Sequence, residues 1–395
     1  MKIVTIIGAR PQFIKAAMVR RAIQDFNQAF RGSRSKNRIR EILVHTGQHY
    51  DYLMDRVFFE ELDLPKPDDH LGVGSGPHGK QTALMLERIE PILLREKPDA
   101  LLVYGDTNST LAGALTAAKL SIPIAHVEAG LRSYDRNMPE EINRLLTDHL
   151  STILFCPTDE AIQNLKEEGI RHDKDGPWVK NVGDVMHDSI LFYSKIAEEK
   201  STILNDLDLV SGDLDIPQSA ICNPHYYLAT LHRAENTDDP KRLRSILRAF
   251  DKISKIAPVI LPLHPRTKKR LKSLHLQPGS KNVKLIEPVS YLNMLMLEKH
   301  ARAILTDSGG VQKEAYWLRV PCITLREVTE WGYTTVEGWN TISGWRTAEI
   351  VRAVQRMPDR KKMRRRGDRG KQTASEKIVH QLFEYLGNRK KHQVR

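Results

Sequence analysis

Cysteine is nearly absent: Cys156, Cys222 and Cys322 are the only three in 395 residues, far apart and without CxxC spacing. That pattern supports neither a disulfide framework nor a zinc site. Long apolar runs are also missing. None approaches the roughly 20 residues that span a bilayer, so no membrane association is expected. Aromatic residues are 6% of the chain and do not interleave with its basic runs, which leaves no stacking platform for bases. No Gly-x4-Gly-Lys-Ser/Thr loop occurs, and the turn after the first strand lacks dinucleotide-binding spacing, so neither Mg-ATP nor NAD is indicated.

What is present is an ordinary globular composition, with 40% hydrophobic and 28% charged residues. The opening Met1-Lys2-Ile3-Val4-Thr5-Ile6-Ile7 lacks the length and flanks of a signal peptide and reads as a first strand. A reducing cytoplasm is the expected setting. The net charge of +12 concentrates in residues 31–40 and 356–369 and in Lys390-Lys391. A solvated basic face is the preferred reading, attraction of anionic substrates the second, and no nucleic acid is expected as a partner.

The length exceeds what one core usually serves, so two domains are expected. Strands at 2–7, 42–45, 100–104, 122–127, 153–156 and 179–182 alternate with helices at 11–26, 52–62, 82–96, 109–119 and one opened by Pro139. After a polar stretch through Pro224, strands at 227–231, 259–262, 283–286, 303–306 and 322–325 alternate with helices at 240–256, 267–276, 291–299 and 310–317. This is α/β rhythm with parallel sheets in two Rossmann-like halves. The expected domains are 1–187, joined by a crossover helix within 374–395, and 188–373.

Asp106 and Glu128 each follow one of these strands, at the edge where α/β folds hold ligands. Pro139-Glu140-Glu141 opens a helix, and an acid there either complements the helix dipole or belongs to the chemistry. Clustered carboxylates repel one another and raise a pKa, which outlines a proton-transfer site. Gly8-Ala9-Arg10-Pro11, with Lys15 beyond, reads equally as an anion site and as plain helix initiation. In the second half, Arg233 and Glu235 beside His232 favour a functional histidine, whereas His264-Pro265-Arg266 reads as a capped loop. Ser308 and Gly309 are expected to offer free backbone N–H groups to a diphosphate, and Glu314 to accept ribose hydroxyls.

These residues resemble a known family. Gly8-x-Arg10-Pro11-x-x-Ile14-Lys15, Gln48-His49, Gly105-Asp106-Thr107, His126-Val127-Glu128-Ala129-Gly130-Leu131-Arg132, Pro139-Glu140-Glu141-x-Asn143-Arg144, Thr306-Asp307-Ser308-Gly309-Gly310 and Thr329-Glu330 are similar, in order, to the motifs of the non-hydrolysing UDP-N-acetylglucosamine 2-epimerases. The resemblance implies two Rossmann-like domains in the GT-B arrangement, an interdomain site, a homodimer and a role in surface-polysaccharide synthesis. It implies a cofactor-free reaction on a UDP-sugar: UDP leaves by anti elimination, giving a 2-acetamidoglucal, and re-adds after reprotonation on the other face. Carried over, Asp106, Glu128 and Glu140 are acid/base candidates, with His232 beside them. Arg10, Lys15, Arg144, Arg233, Ser308, Gly309, Gly310 and Glu314 form the substrate- and UDP-binding set. Gln12 replaces the family's usual glutamate, and Trp331-Gly332-Tyr333 replaces its Arg-Pro-Glu. Both changes look more like the branch acting on UDP-2,3-diacetamido-2,3-dideoxy-glucuronic acid. Tyr50-Asp51-Tyr52 replaces a polar pattern linked in some relatives to an allosteric UDP-sugar site. The rivals are a GT-B glycosyltransferase, a hydrolysing epimerase and a non-catalytic UDP-sugar sensor.

Overall fold

The computed structural model describes residues 1–30, 38–48, 59, 61–173, 176–209, 226–358 and 372–393. His49, Tyr50-Asp51-Tyr52, most of the helix expected at 52–62, most of the basic runs and the stretch ending at Pro224 lie outside the described residues. The chain divides into two compact units, Met1–Ser189 with Arg369–Arg395, and Ile190–Asp368.

In the first unit, β1 (Lys2–Ile7), β2 (Arg40–His45), β3 (Asp69–His70), β4 (Ala100–Tyr104), β5 (Ile124–Val127), β6 (Ile153–Cys156) and β7 (Trp178–Asn181) form one parallel sheet. Its order is β3-β2-β1-β4-β5-β6-β7. β4, β5 and β6 are buried along their whole length, as continuous apolar strands between helical layers must be. The order reverses between β1 and β4, so the loops that follow these strands diverge and leave a crevice at their C-terminal ends. Helix Ala374–Gln393 packs on helix Arg10–Ala29 through Phe383 and His380 around Phe26, with ring centroids 5.0 and 5.4 Å away. Its start is held by Asp188, which accepts from the Ser375 N–H and hydroxyl, both at 2.7 Å.

The second unit repeats the plan with β8 (Tyr227–Thr230), β9 (Val259–Pro262), β10 (Val283–Ile286), β11 (Ile304–Thr306), β12 (Cys322–Thr324) and β13 (Asn340–Ile342). They form a parallel sheet ordered β10-β9-β8-β11-β12-β13, reversing between β8 and β11. Helix Pro240–Ile253 shows why the sequence folds so. Asp239 caps it by accepting from the Lys241 N–H at 2.7 Å, proline occupies the first turn, and Leu243, Ile246, Leu247, Phe250 and Ile253 form one buried stripe. Each such side chain contributes about 1.5–3 kcal/mol by leaving water.

The fold class is α/β, as expected. Several elements had no clear sequence signal, β3, β13 and helix Thr347–Arg356 among them. β3 has two residues, β13 reads Asn340-Thr341-Ile342 with two of them exposed, and helix Thr347–Arg356 buries only Ile350 and Val354.

Candidate active site

The turn after β4 is Gly105-Asp106-Thr107. Gly105 takes φ 62°, and a Cβ there would lie 3.2 Å from Glu128 Oε2 and 3.6 Å from Lys15 Nζ, so glycine lets the backbone pass directly against that pair. Asp106 projects from the turn with its side chain 35% exposed and ion-paired to Arg144. Burial pushes its carboxyl up, as do the negative charges of Glu140 and Glu128. Arg144 and Lys15 oppose them without prevailing. The balance moves Asp106 toward the range of an acid/base group.

Glu128 stands at φ 76°, a left-handed conformation that costs a non-glycine residue about 1–3 kcal/mol and persists where surroundings over-determine it. The surroundings are visible: its own N–H and that of Ala129 both donate to Phe155 O, at 3.0 and 3.1 Å. The Glu128 carboxylate is buried and ion-paired with the buried Lys15 of helix Arg10–Ala29. Glu140 occupies the first turn of helix Pro139–Leu150 and faces Asp106 closely enough to raise it.

That helix is inside out. It buries Glu141, Asn143, Arg144, Thr147 and Asp148, while Ile142 and Leu146 are 45% and 47% exposed. Arg144 donates through Nε and Nη2 to Glu141 Oε2, at 2.9 and 2.7 Å, as well as to Asp106. Arg144, expected to bind substrate, is ion-paired to Asp106 and Glu141. Glu141 also accepts the N–H groups of Ser133 and Tyr134, which with Arg144 outweigh burial and hold its carboxyl low.

In the second unit, the buried Asp307 accepts the N–H groups of His232 and Arg233, at 3.1 and 3.0 Å, and the amide of Asn236 at 3.2 Å. His232 keeps its side chain 34% exposed, with Nδ1 3.4 Å from Asp307 and its ring tilted on His264 at 5.3 Å. Ser308 caps helix Gly309–Leu318, on which Glu314 is buried. The expectation that Ser308 offers a free N–H is corrected: that group donates to Thr306 Oγ1 at 2.9 Å. Gly309 and Gly310 follow, and the first N–H groups of a helix have no intrahelical acceptor. A Cβ at Gly309 would collide with Glu330, which Arg326 holds at 3.0 Å. Arg326 Nε also lies 3.3 Å from Glu235.

Arg10 is the half-buried first residue of its helix. Gln12 lies wholly in the interior. Its carbonyl accepts the N–H groups of Gly8 and Ala9, at 2.8 and 3.0 Å, and its amide donates to Tyr104 O and Thr110 Oγ1, both at 2.9 Å. All its hydrogen-bonding capacity is used in the interior, so it ties the β1 turn to the β4 end and has nothing left to read a sugar. Trp331 is 6% exposed, with Lys313 Nζ 4.4 Å from its ring centroid. Asp148 and Arg326 escaped the reading of the sequence, and Glu141, Asp307 and Glu330 entered it only within motifs, without a role of their own. The polar stripe Glu141, Arg144, Asp148 on one helix face was the available signal. Among the described residues no cluster of His, Cys, Asp or Glu is placed to hold a metal ion, and no helix is long and apolar enough to cross a membrane.

A family profile described as UDP-N-acetylglucosamine 2-epimerase matches residues 32–383. A Methanococcus maripaludis protein named UDP-N-acetylglucosamine 2-epimerase homolog is 54% identical over 341 residues, covering 85% of this chain and 87% of that one. The UDP-2,3-diacetamido-2,3-dideoxy-D-glucuronate 2-epimerase of Pseudomonas aeruginosa is 52% identical over 332 residues, covering 84% and 85%. The crystal structure of Methanocaldococcus jannaschii UDP-GlcNAc 2-epimerase in complex with UDP-GlcNAc and UDP superposes with a TM-score of 0.84 at 46% identity, covering 97% of this chain and 99% of that one.

Proposed function

Because the chain belongs to the UDP-N-acetylglucosamine 2-epimerase family, we propose that it inverts C2 of a UDP-linked 2-acetamido sugar without a cofactor. The observation that carries this reading is the grouping of Asp106, Glu128 and Glu140 around Gly105, with Lys15 and Arg144 paired to two of them. Removing an unactivated C2 proton needs a positioned base, and delivering one to the opposite face needs an acid. Ion-paired Glu128 serves as base and Asp106 as acid, with Glu140 completing the set. The C2–H electron pair forms the C1=C2 bond as the C1–O bond breaks, and that bond's electrons leave on the UDP oxygen. Protonation of C2 from the other face and return of the UDP oxygen to C1 complete the inversion.

The second unit holds UDP in this reading: His232 and Arg233 face the diphosphate, the helix start at Gly309 and Gly310 supplies N–H donors, and Glu314 takes the ribose. The enzyme works in the cytoplasm as a homodimer and supplies surface-polysaccharide synthesis. Incubating the protein with UDP-sugars in deuterated water tests the reaction. Deuterium at C2 of an intact UDP-sugar is expected, and free sugar plus UDP would instead mark a hydrolysing enzyme.

A second reading keeps the mechanism and changes the sugar to UDP-2,3-diacetamido-2,3-dideoxy-glucuronate. It is favoured by the 52% identity to the P. aeruginosa enzyme and by Trp331-Gly332-Tyr333. Gln12 lends it no support.

A further inference from the structure

The proposed chemistry leaves out His126, Arg132 and Asp148, all three buried polar residues beneath the carboxylates. His126 Nδ1 is 2.7 Å from Asp148 Oδ1, and His126 Nε2 is 2.8 Å from the Gly105 carbonyl oxygen. A carbonyl only accepts, so Nε2 carries a hydrogen. Burial pushes the Asp148 carboxyl up, but His126 and Arg132 outweigh it and hold the group below its usual range, as an acceptor. Nε2 thus donates to the Gly105 carbonyl, and Nδ1 lies against Asp148 Oδ1. The other oxygen, Asp148 Oδ2, accepts the Gly130 N–H at 3.0 Å and Arg132 Nη1 at 2.7 Å. Arg132 is fixed in turn by two hydrogen bonds to Glu168, at 2.7 and 2.6 Å.

One carboxylate thus ties two strand ends together. Through His126 it holds the carbonyl of the residue before Asp106, and directly it holds an N–H just past Glu128. It does so from the last turn of the helix whose first turn carries Glu140. We propose that Asp148 and His126 are positioning residues that set the separation of Asp106 and Glu128 for proton transfer, without touching the substrate. The proposal rests on the epimerase reading. A misplacement near 1 Å can cost on the order of 100-fold in rate.

The test compares His126→Gln, His126→Asn, Asp148→Asn and the double variant H126N/D148N. A glutamine amide nitrogen falls near the position of Nε2 and keeps donation to Gly105, whereas an asparagine nitrogen falls near Nδ1 and loses it. His126→Asn and Asp148→Asn should lower kcat and the rate of C2 deuterium incorporation on the order of 100-fold, with KM and UDP affinity nearly unchanged. His126→Gln should recover most of kcat. The double variant should fall no further than the worse single one, because the two act as a unit. Equal losses in His126→Gln and His126→Asn, losses that follow melting temperature alone, or full kcat in both asparagine variants would overturn the proposal. Should Asp148→Asn fail to fold, the His126 contrast decides alone, since both substitutions remove the same ring. Wild-type protein without C2 exchange would sink the epimerase reading and this inference with it. Exchange in wild type with unaltered variants sinks only the positioning roles.

Discussion

Asp106 and Glu128 differ in what their surroundings do to them, and amide replacements should expose the difference. Asp106→Asn and Glu128→Gln are each expected to abolish turnover while leaving UDP binding intact, because an amide keeps the shape but exchanges no proton. Calorimetry with UDP beside a turnover assay checks this, and wild-type turnover in both would remove the carboxylates from the mechanism. The raised Asp106 carboxyl also has a stability consequence. A carboxyl raised in the fold contributes stability that is fully present below its unfolded value, about 3.9, and is lost as pH rises through the folded value. Asp106→Asn should therefore melt above wild type at neutral pH, with the advantage shrinking on acidification. A melting series across pH would show the opposite trend if Asp106 were held low. Gln12 makes the contrasting case. Gln12→Leu leaves buried N–H groups unpaired and should cost on the order of 1–3 kcal/mol of stability in urea unfolding, with no change in sugar preference.

At the scale of elements, the two reversal points of strand order collect the chemistry. β1 and β4 present Arg10 and Asp106, and β8 and β11 present His232 and Ser308. Arg10→Ala and His232→Ala should each weaken UDP binding by roughly 1.5–3 kcal/mol, the worth of a hydrogen bond to a charged group. Unchanged affinity in both would move the nucleotide site elsewhere. Helix Pro139–Leu150 explains why its own role was only partly legible. A hydrophobic-moment reading turns Ile142 and Leu146 inward, whereas Glu141, Arg144 and Asp148 are the buried face because each finds a partner at the strand ends. A paired polar face can be buried where an unpaired one cannot.

For the whole molecule, the open matter is which sugar it takes. If Trp331 and its neighbours belong to a site shaped for extra polar groups, kcat/KM should favour the substrate with a C3 acetamido group and a C6 carboxylate. Such a site leaves buried partners unpaired when those groups are missing. A clear preference for UDP-N-acetylglucosamine would end that assignment and leave the epimerase mechanism standing. Light scattering on the eluting protein should report twice the 45.1 kDa chain mass.

Much was determined by local pattern. Apolar runs bounded by glycine, proline and acids place β4, β6, β9 and β10 at or within a residue of where they are found, and strand-end loops single out Asp106, Glu128, His232 and Ser308. Patterns of this kind survive into the fold because strand burial and helix capping depend on neighbours in sequence. Tertiary structure alone decided which polar groups meet. Gln12 reaches Tyr104 and Thr110, Arg144 turns to Asp106 and Glu141, Thr306 takes the Ser308 N–H, and Asp148 spans β4 and β5 through His126. A hydrogen bond between residues far apart in the chain leaves no periodicity behind. It depends on strand order and on a few ångströms of approach, and both are set only once the sheet has formed.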